Sequence, residues 1–216
     1  PMEKAFDRVA PFYDRWIGRF MSGRMERMVS MLACSPDEVI LDLGGGTGLL
    51  SRRLVSRCKE VHLLDESPAM VRQVRHGKVR VQVGNATQTP YPDRFFDAIV
   101  LSDVLHHIRE HNLLLDEVRR LLKPGGRLLV NEVDLERALG RAVASLEALF
   151  FVRVFPTSFR GLGKKLESMG FRLMEEKRDA WSFIGRWGFA PQSAQGFVVT
   201  QAEFPQDFDG THTQGN

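Results

Sequence analysis

The chain has few cysteines and no long apolar segment. Cys34 and Cys58 are the only thiols among its 216 residues. Two cysteines supply neither a disulfide framework nor, by themselves, a zinc site, and they favour a reducing compartment. No apolar run approaches the roughly 20 residues that span a bilayer, and the first residues lack the pattern of a secretion signal. These features predict a metal-free protein of the cytoplasm.

A strong excess of either charge is also missing. The net charge is +3, from 30 basic and 27 acidic residues. Nucleic-acid-binding domains concentrate their Lys and Arg in a basic stripe, so this balance predicts no nucleic-acid partner. It leaves contact with an anionic membrane surface open. The length fits one domain with a single core, and the 43% hydrophobic content is that of an ordinary globular protein.

The stretch VILDLGGGTG, residues 39–48, organises the rest of the chain. Its first five residues are apolar except for Asp42, which predicts a short strand buried on both faces of a parallel sheet. Glycines follow, and a helical pattern begins at Leu49. Glycine turns tightly and lets a ligand approach bare backbone, and a helix N-terminus attracts a negative or polar group. This strand, loop and helix are predicted to hold a small ligand.

The glycine spacing separates three kinds of ligand site. A phosphate-binding loop needs Lys and then Ser or Thr after its last glycine, where this chain has Leu49 and Leu50. A dinucleotide fingerprint reads G-x-G-x-x-G, and this loop is one residue short of it. The pattern instead resembles the D/E-x-G-x-G-x-G loop of class I S-adenosylmethionine (SAM)-dependent methyltransferases. The resemblance implies SAM as cofactor, S-adenosylhomocysteine as product, and a cofactor contact at Asp42, Gly44, Gly45, Gly46, Thr47 and Gly48.

A second strand, predicted at residues 60–64, ends in Asp65 and Glu66. Asp65 lies 21 positions after Gly44 (65 − 44), close to the roughly 20 expected for an acid that binds ribose hydroxyls. An ionised carboxylate accepts such hydrogen bonds strongly. We therefore expect Asp65, with Glu66 beside it, to hold the ribose. The alternative is that Asp65 caps the helix that opens at residues 67–68.

Two further positions are candidates for the adenine. Residues 78–83 alternate as a third strand and lead into Gly84, Asn85 and Ala86. In the resembling family this segment reads G-D-A, and its carboxylate binds the adenine amino group. Asn85 can accept the same bond through its amide oxygen, without charge. Met70 either points toward the adenine or is a core methionine.

The fourth predicted strand, residues 95–101, delivers several polar side chains. Ligands of a doubly wound sheet bind beyond the carboxyl ends of its strands, so Ser102 and Asp103 are expected at the ligand. The string SDVLHHI resembles the S/N-x-x-L-H-H segment of the family. His106, His107 and, further on, Glu132 are candidate catalytic bases if the acceptor must lose a proton. A packing role for the histidines is the alternative.

The N-terminal residues predict a lid. Residues 12–21 form a wide apolar stripe, which fits a helix packed on the core or a lid over the glycine loop. The string AFDRVAPFYDRW resembles the A-x-x-Y-D segment of the ubiquinone/menaquinone C-methyltransferase group. The resemblance implies that residues 1–36 form a helical lid that brings Tyr13, and with it Phe6, near SAM.

The later segments complete an α/β chain. Residues 112–122 predict a helix that stops at Lys-Pro-Gly-Gly, and strands are predicted at residues 127–130, 171–177 and 196–204. The resemblance implies a doubly wound, Rossmann-like sheet of seven mostly parallel strands in the order 3-2-1-4-5-7-6, with helices on both faces. The methyltransferase domain is predicted at residues 37–204, with a substrate cap around 135–160 and a disordered tail at 205–216.

The predicted reaction is methyl transfer from SAM to a small apolar or aromatic acceptor. The Phe-rich residues 149–159 fit an acceptor cavity, a membrane contact or the face of a homodimer. A SAM-binding regulatory protein without turnover is the alternative. That alternative would not need the polar residues after the fourth strand.

Overall fold

The computed structural model describes residues 22–74, 77–150, 155 and 157–190. Their strands form one seven-stranded sheet in the order β3-β2-β1-β4-β5-β7-β6. The pairs from β3 to β5 are parallel, whereas β7 runs antiparallel to β5 and β6. This arrangement confirms the predicted fold. The strands are β1 (Val39–Leu43), β2 (Glu60–Asp65), β3 (Val79–Val83), β4 (Phe96–Ser102), β5 (Leu122–Val133), β6 (Phe171–Arg178) and β7 (Ser182–Phe189).

Helices cover both faces of this sheet. Since successive strand residues point to opposite faces, Ile40 joins one apolar cluster and Leu41 the other. The Ile40 cluster includes the first two helices, and the Leu41 cluster includes the fourth and sixth. The helices are α1 (Ser22–Leu32), α2 (Ser51–Leu54), α3 (Pro68–Val71), α4 (His111–Leu121), α5 (Ala138–Phe150) and α6 (Phe159–Ser168), with a 3-10 turn at Leu105–His107.

The seventh strand is not where the sequence predicts it. It lies at Ser182–Phe189, whereas the predicted strand at 196–204 falls outside the described residues. Gly185 and Gly188 obscure the strand pattern in this segment. A side chain on Gly185 would overlap the ring of the fully buried Trp187, so the glycine makes room for the indole. The strand is therefore specified by tertiary packing rather than by its own periodicity.

The fifth strand is longer than predicted. Leu122 already pairs with Phe96, although the sequence predicts a helix through residue 122 and a strand only from 127. The register then shifts before Arg127 pairs with Ala98, and Gly125 takes the positive φ of +80° within this irregular stretch. At its carboxyl end β5 extends through Val133. The polar side chains of Asn131 and Glu132 therefore lie at the edge of the sheet where the ligand is expected.

The described part of the predicted lid belongs to the body of the domain. In α1, the side chains of Met28, Met31 and Leu32 are almost fully buried in the cluster on β1. Residues 1–21, with Phe6 and Tyr13, and the tail at 205–216 lie outside the described residues. The predicted cap region contains α5. Within residues 22–74, 77–150 and 157–190, no helix has the length and apolar character to cross a bilayer.

Candidate active site

The glycine loop after β1 has the backbone conformation that its sequence predicts. Gly44 and Gly46 have φ values of +76° and +56°, which side-chain-bearing residues rarely adopt. A Cβ on Gly44 would also lie 2.5 Å from Val104 Cγ2. A Cβ on Gly46, in contrast, would have no atom within 4 Å. The loop is thus packed at its base and open at Gly46, as a backbone surface for a ligand must be.

Asp42 supports this loop from below. Its carboxylate is 2% exposed and accepts a hydrogen bond of 2.6 Å from Ser51 Oγ, at the start of α2. Burial raises the pKa of Asp42 to about 6, partly offset by the Ser51 bond. Gly45 lies so close that a Cβ there would be 2.7 Å from Asp42 Cγ. Thr47 is buried in the same loop. The structure therefore shows Asp42 and Thr47 as parts of the base on which the loop is built.

Asp65 lies at the carboxyl end of β2 and faces the loop. One carboxylate oxygen accepts from the N–H of Gly46 and the other from the N–H of Ser67, both at 2.9 Å. Burial raises the pKa of Asp65, and the two backbone bonds oppose that rise. Ser67 itself caps α3 by accepting from Met70 N. Asp65 thus orders the start of α3, as the alternative expects, and also presents its carboxylate at the open side of the loop.

The remaining predicted cofactor residues after β2 and β3 differ in exposure. Glu66 is exposed, whereas Met70 is buried. The amide oxygen of Asn85 accepts from both the N–H and the hydroxyl of Thr87 at 2.8 Å, which closes a local turn. Ala86 packs against the Leu41 cluster. The Asn85 oxygen that the sequence assigns to adenine is therefore already used within its own turn.

Ser102 and Asp103, at the end of β4, are joined to β5 by Asn131. The Asn131 amide donates to Ser102 Oγ at 3.0 Å and to Asp103 Oδ2 at 3.1 Å. Asp103 has a φ of +55°, and its N–H donates to Asn131 O at 2.9 Å. Such a backbone conformation costs energy in a residue other than glycine, although aspartate adopts it more readily than most residues. Burial raises the pKa of Asp103, and the nearby Arg24 opposes that rise.

Arg24 is a site residue that the sequence analysis misses. It lies on α1, is 5% exposed, and donates from Nε to Asn131 Oδ1 and from Nη2 to Glu132 O. Its guanidinium carbon lies 4.5 Å from the ring centre of Trp181, a cation–π contact. Burial lowers the pKa of Arg24, although three surrounding carboxylates oppose this. One signal could have found it, since a lone Arg occupies the buried stripe of α1 one turn before Met28.

Glu132 and His106 form a buried pair on the face of β5 opposite to the one where Asn131 contacts Arg24. Glu132 is 2% exposed, and its Oε2 lies 2.6 Å from Nδ1 of His106. Its Oε1 accepts from the N–H groups of Val104 and Leu105 at 2.8 and 2.6 Å. The carboxylate therefore fixes the 3-10 turn and the ring that the turn carries. Because Nδ1 donates to a carboxylate, Nε2 is the basic nitrogen of this imidazole.

His107 has a different environment from its neighbour. Its ring centre lies 4.0 Å from that of His106, and burial together with the charge of His106 lowers the pKa of His107 to about 3. The ring is therefore neutral across the physiological range and a weak base. Of the three predicted bases, His106 has the orienting carboxylate, Glu132 supplies it, and His107 packs beside them. Among the described residues, no cluster of three or more His, Cys, Asp or Glu side chains suits a metal ion.

Comparisons with known proteins identify the family of this chain. The family model described as a methyltransferase domain matches residues 41–130, which span the glycine loop to β5. The ubiquinone/menaquinone biosynthesis C-methyltransferase UbiE of Caulobacter vibrioides is 31% identical over 202 residues, covering 83% of this chain and 79% of that protein. The chain belongs to the class I SAM-dependent methyltransferases. Its cofactor is SAM, and it is an enzyme rather than the non-catalytic binder that the sequence left open.

Further matches agree with this family. A demethylmenaquinone methyltransferase of Tropheryma whipplei is 34% identical over 200 residues, covering 87% of this methyltransferase and 80% of the relative. A solved SAM-dependent methyltransferase of Thermotoga maritima superposes with a TM-score of 0.69 at 24% identity, covering 88% of this chain and 99% of that one. At that identity the superposition supports the fold alone, whereas the curated relatives carry the family.

The described residues fit SAM on structural grounds. The loop is open at Gly46, and the Asp65 carboxylate lies against that opening, one strand away from β1. Each oxygen of this carboxylate has a second lone pair beside the one used by the backbone N–H, so vicinal hydroxyls at this position can donate to a carboxylate that is already oriented. The polar side chains at the ends of β4 and β5 lie on the side of β1 away from Asp65. They are Ser102, Asp103, Asn131 and Glu132.

Proposed function

We propose that this methyltransferase methylates a ring carbon of a small, reduced quinone-type acceptor. The relatives from Caulobacter and Tropheryma are named for ubiquinone/menaquinone and demethylmenaquinone methylation. One observation in this chain supports the same chemistry: an imidazole oriented by a buried carboxylate at the end of β4. A ring carbon becomes nucleophilic when a neighbouring ring hydroxyl loses its proton, so such an acceptor needs a base of this kind.

In the proposed reaction, His106 Nε2 accepts the proton of the ring hydroxyl. Glu132 stabilises the imidazolium that forms, while the N–H groups of Val104 and Leu105 hold its carboxylate in place. When bound, SAM would supply an electrophilic methyl group to the ring carbon. That carbon then loses its hydrogen as a proton while the ring oxygen regains one from His106, so the overall reaction releases one proton. The residues of the glycine loop and Asp65 bind and orient the cofactor, which is the main contribution that a protein makes to an in-line transfer.

The other predicted contacts complete this proposal. We assign the cofactor to Asp65 through the ribose and to the 44–48 backbone, with Tyr13 and the part of the predicted lid before α1, residues 1–21, closing over it. Glu66, Met70, Asn85, Ala86, Ser102 and Asp103 remain predicted cofactor contacts, and residues 135–160 the predicted acceptor cap. We also propose that the protein acts in the cytoplasm, at the membrane surface where an apolar acceptor would lie. We expect no nucleic-acid partner. Exposed Val81 and Val83 on the edge strand β3 favour a homodimer, which light scattering can test.

Calorimetry with SAM tests the cofactor half of the proposal. Asp65→Ala should weaken SAM binding by roughly 5- to 150-fold, because a paired, charged acceptor worth about 1–3 kcal/mol is removed. Asp116→Ala, which removes an exposed carboxylate on α4, should leave the affinity unchanged. The absence of SAM binding by the folded wild type would overturn the whole proposal. An unchanged affinity in Asp65→Ala would remove only the ribose assignment.

Methyl transfer to a chemically reduced, short-chain demethylmenaquinone tests the acceptor half. His106→Gln should bind SAM as the wild type does but lose at least about 100-fold in kcat, the usual contribution of a general base. His107→Gln should retain most of the activity, because its neutral ring is not the proton acceptor. Equal losses in both variants, or transfer only to acceptors that need no deprotonation, would contradict the assignment of His106.

A further inference from the structure

Arg24 has one nitrogen that its described neighbours leave without a hydrogen bond. Its Nε donates to Asn131 Oδ1 and its Nη2 to Glu132 O. Its Nη1, in contrast, is buried and has no hydrogen-bond partner among the described residues. Buried polar groups without a partner are rare in native proteins, and each one needs an explanation. A bound ligand that accepts a hydrogen bond from Nη1 is one such explanation.

Ser182, at the start of β7, has the same property on the same face of the sheet. The residue is 1% exposed, and its Oγ has no hydrogen-bond partner in the described part of the chain. Asn131 pairs with Ile184 and Val133 pairs with Ser182, and directly paired residues of antiparallel strands share a face. Ile184 belongs to the Ile40 cluster, so Asn131 and Ser182 both lie on the face that α1 covers.

Trp181 brings these two groups into one neighbourhood. It directly precedes Ser182, and its ring centre lies 4.5 Å from the guanidinium carbon of Arg24. The carboxylate of Asp179 accepts from the N–H groups of Trp181 and Ser182 at 3.1 and 2.8 Å, which fixes the turn between β6 and β7. The guanidinium of Arg24 is therefore held between this turn and the end of β5.

We propose that Arg24 Nη1 and Ser182 Oγ bind the second ring oxygen of the acceptor, the one that His106 does not deprotonate. The inference rests on the proposed function, in which the acceptor is a reduced quinone with two hydroxyls on opposite sides of its ring. Arginine only donates hydrogen bonds, so Nη1 requires an oxygen lone pair. The Oγ of serine can accept the hydrogen of the same hydroxyl.

The place of this pair in the sheet favours the acceptor over the ribose end of the cofactor. The strands run in the order β2-β1-β4-β5. Neighbouring strands lie about 4.8 Å apart, so β5 lies about 14 Å from the strand that carries Asp65. Asn131 and Glu132 point to opposite faces of β5, where they contact Arg24 and His106 respectively. A ring across the end of β5 would have one hydroxyl at each face.

Methyl transfer to two acceptors tests this inference. One is the chemically reduced, short-chain demethylmenaquinone, and the other is an analogue that keeps the hydroxyl beside the methylated carbon but lacks the second hydroxyl. The readout is the preference, which is the ratio of kcat/KM for the two acceptors. Because the same two acceptors are compared in every variant, differences in their own reactivity cancel between variants.

Both variants of the pair should lose preference. We expect a fall of at least about 10-fold in Arg24→Gln, because a charged donor to the second oxygen is removed. We expect a fall of about 2- to 10-fold in Ser182→Ala, which removes a neutral hydrogen bond. The exposed residues Arg119 on α4 and Ser168 on α6 supply matched controls, since Arg119→Gln and Ser168→Ala should leave the preference unchanged.

Three results would overturn the inference. An unchanged preference in both variants, with an active wild type, would do so and leave the proposed function standing. A loss of SAM affinity in Arg24→Gln with an unchanged preference would assign Arg24 to the cofactor instead. A wild type that binds SAM but methylates neither acceptor would refute the proposed acceptor and this inference with it. Since the Ser182 hydroxyl has no described hydrogen bond to lose, Ser182→Ala decides the test if Arg24→Gln fails to fold.

Discussion

Truncation of Glu132 should be among the most destabilising single changes in the chain. Glu132→Ala removes the acceptor of two buried N–H groups, at Val104 and Leu105, and of His106 Nδ1. Each buried donor left without an acceptor costs about 1–3 kcal/mol. Water entering the space left by the side chain recovers part of this, so we expect a loss of about 3–5 kcal/mol. That is a large share of the roughly 5–15 kcal/mol by which domains are stable.

Urea unfolding followed by circular dichroism measures this loss. Glu132→Gln separates charge from shape: an amide oxygen can still accept from the two N–H groups, and we expect a smaller loss of about 1–2 kcal/mol. If its amide donates to Nδ1 of His106, the ring proton moves to Nε2 and kcat falls although the protein remains folded. Glu167→Ala, on the exposed side of α6, should cost less than about 0.5 kcal/mol. A loss below about 1 kcal/mol in Glu132→Ala would refute this reasoning.

Two further predictions concern titration. Burial raises the pKa of Asp42 from 3.8 to about 6, so the folded state holds this proton more tightly and the contribution of Asp42 to stability falls as pH rises from about 4 to 6. The full change in unfolding free energy is about 3 kcal/mol. Between pH 4 and pH 7 the wild type should therefore lose most of this amount relative to Asp42→Asn. An equal change in both proteins would contradict the prediction. The lowered pKa of His107 predicts that nitrogen chemical shifts report a neutral His107 ring down to about pH 4, whereas titration near pH 6.5 would show that the ring is solvated.

The sheet could be predicted from the sequence because most of its strands are apolar on both faces and end in turn residues. β1, β2 and β4 lie within a residue or two of the predicted ranges. β7 could not be found in the same way, since Gly185 and Gly188 interrupt its pattern for the sake of the Trp187 ring. This strand forms because it pairs with β5 and β6, and the local pattern of the sequence does not reveal that pairing.

The site residues also differ in whether a local sequence pattern could predict them. The glycine spacing and the separation of Asp65 from the loop are local signals, and the structure places both at one edge of the sheet. The partners of Arg24 cannot be read in this way, because Asn131 is 107 positions away. The sequence also offers Glu132 as one candidate base among three. Only the contact with His106 and the N–H groups of the 3-10 turn shows that its carboxylate is an orienting group.

The end of β5 connects the two halves of the site. Asn131 and Glu132 are consecutive, so their side chains point to opposite faces of the sheet. Asn131 is hydrogen-bonded to Arg24 of α1 on one face, and Glu132 is hydrogen-bonded to His106 on the other. Arg24 also donates to the carbonyl of Glu132 itself. A shift of α1 would therefore move the same backbone that orients the proposed base.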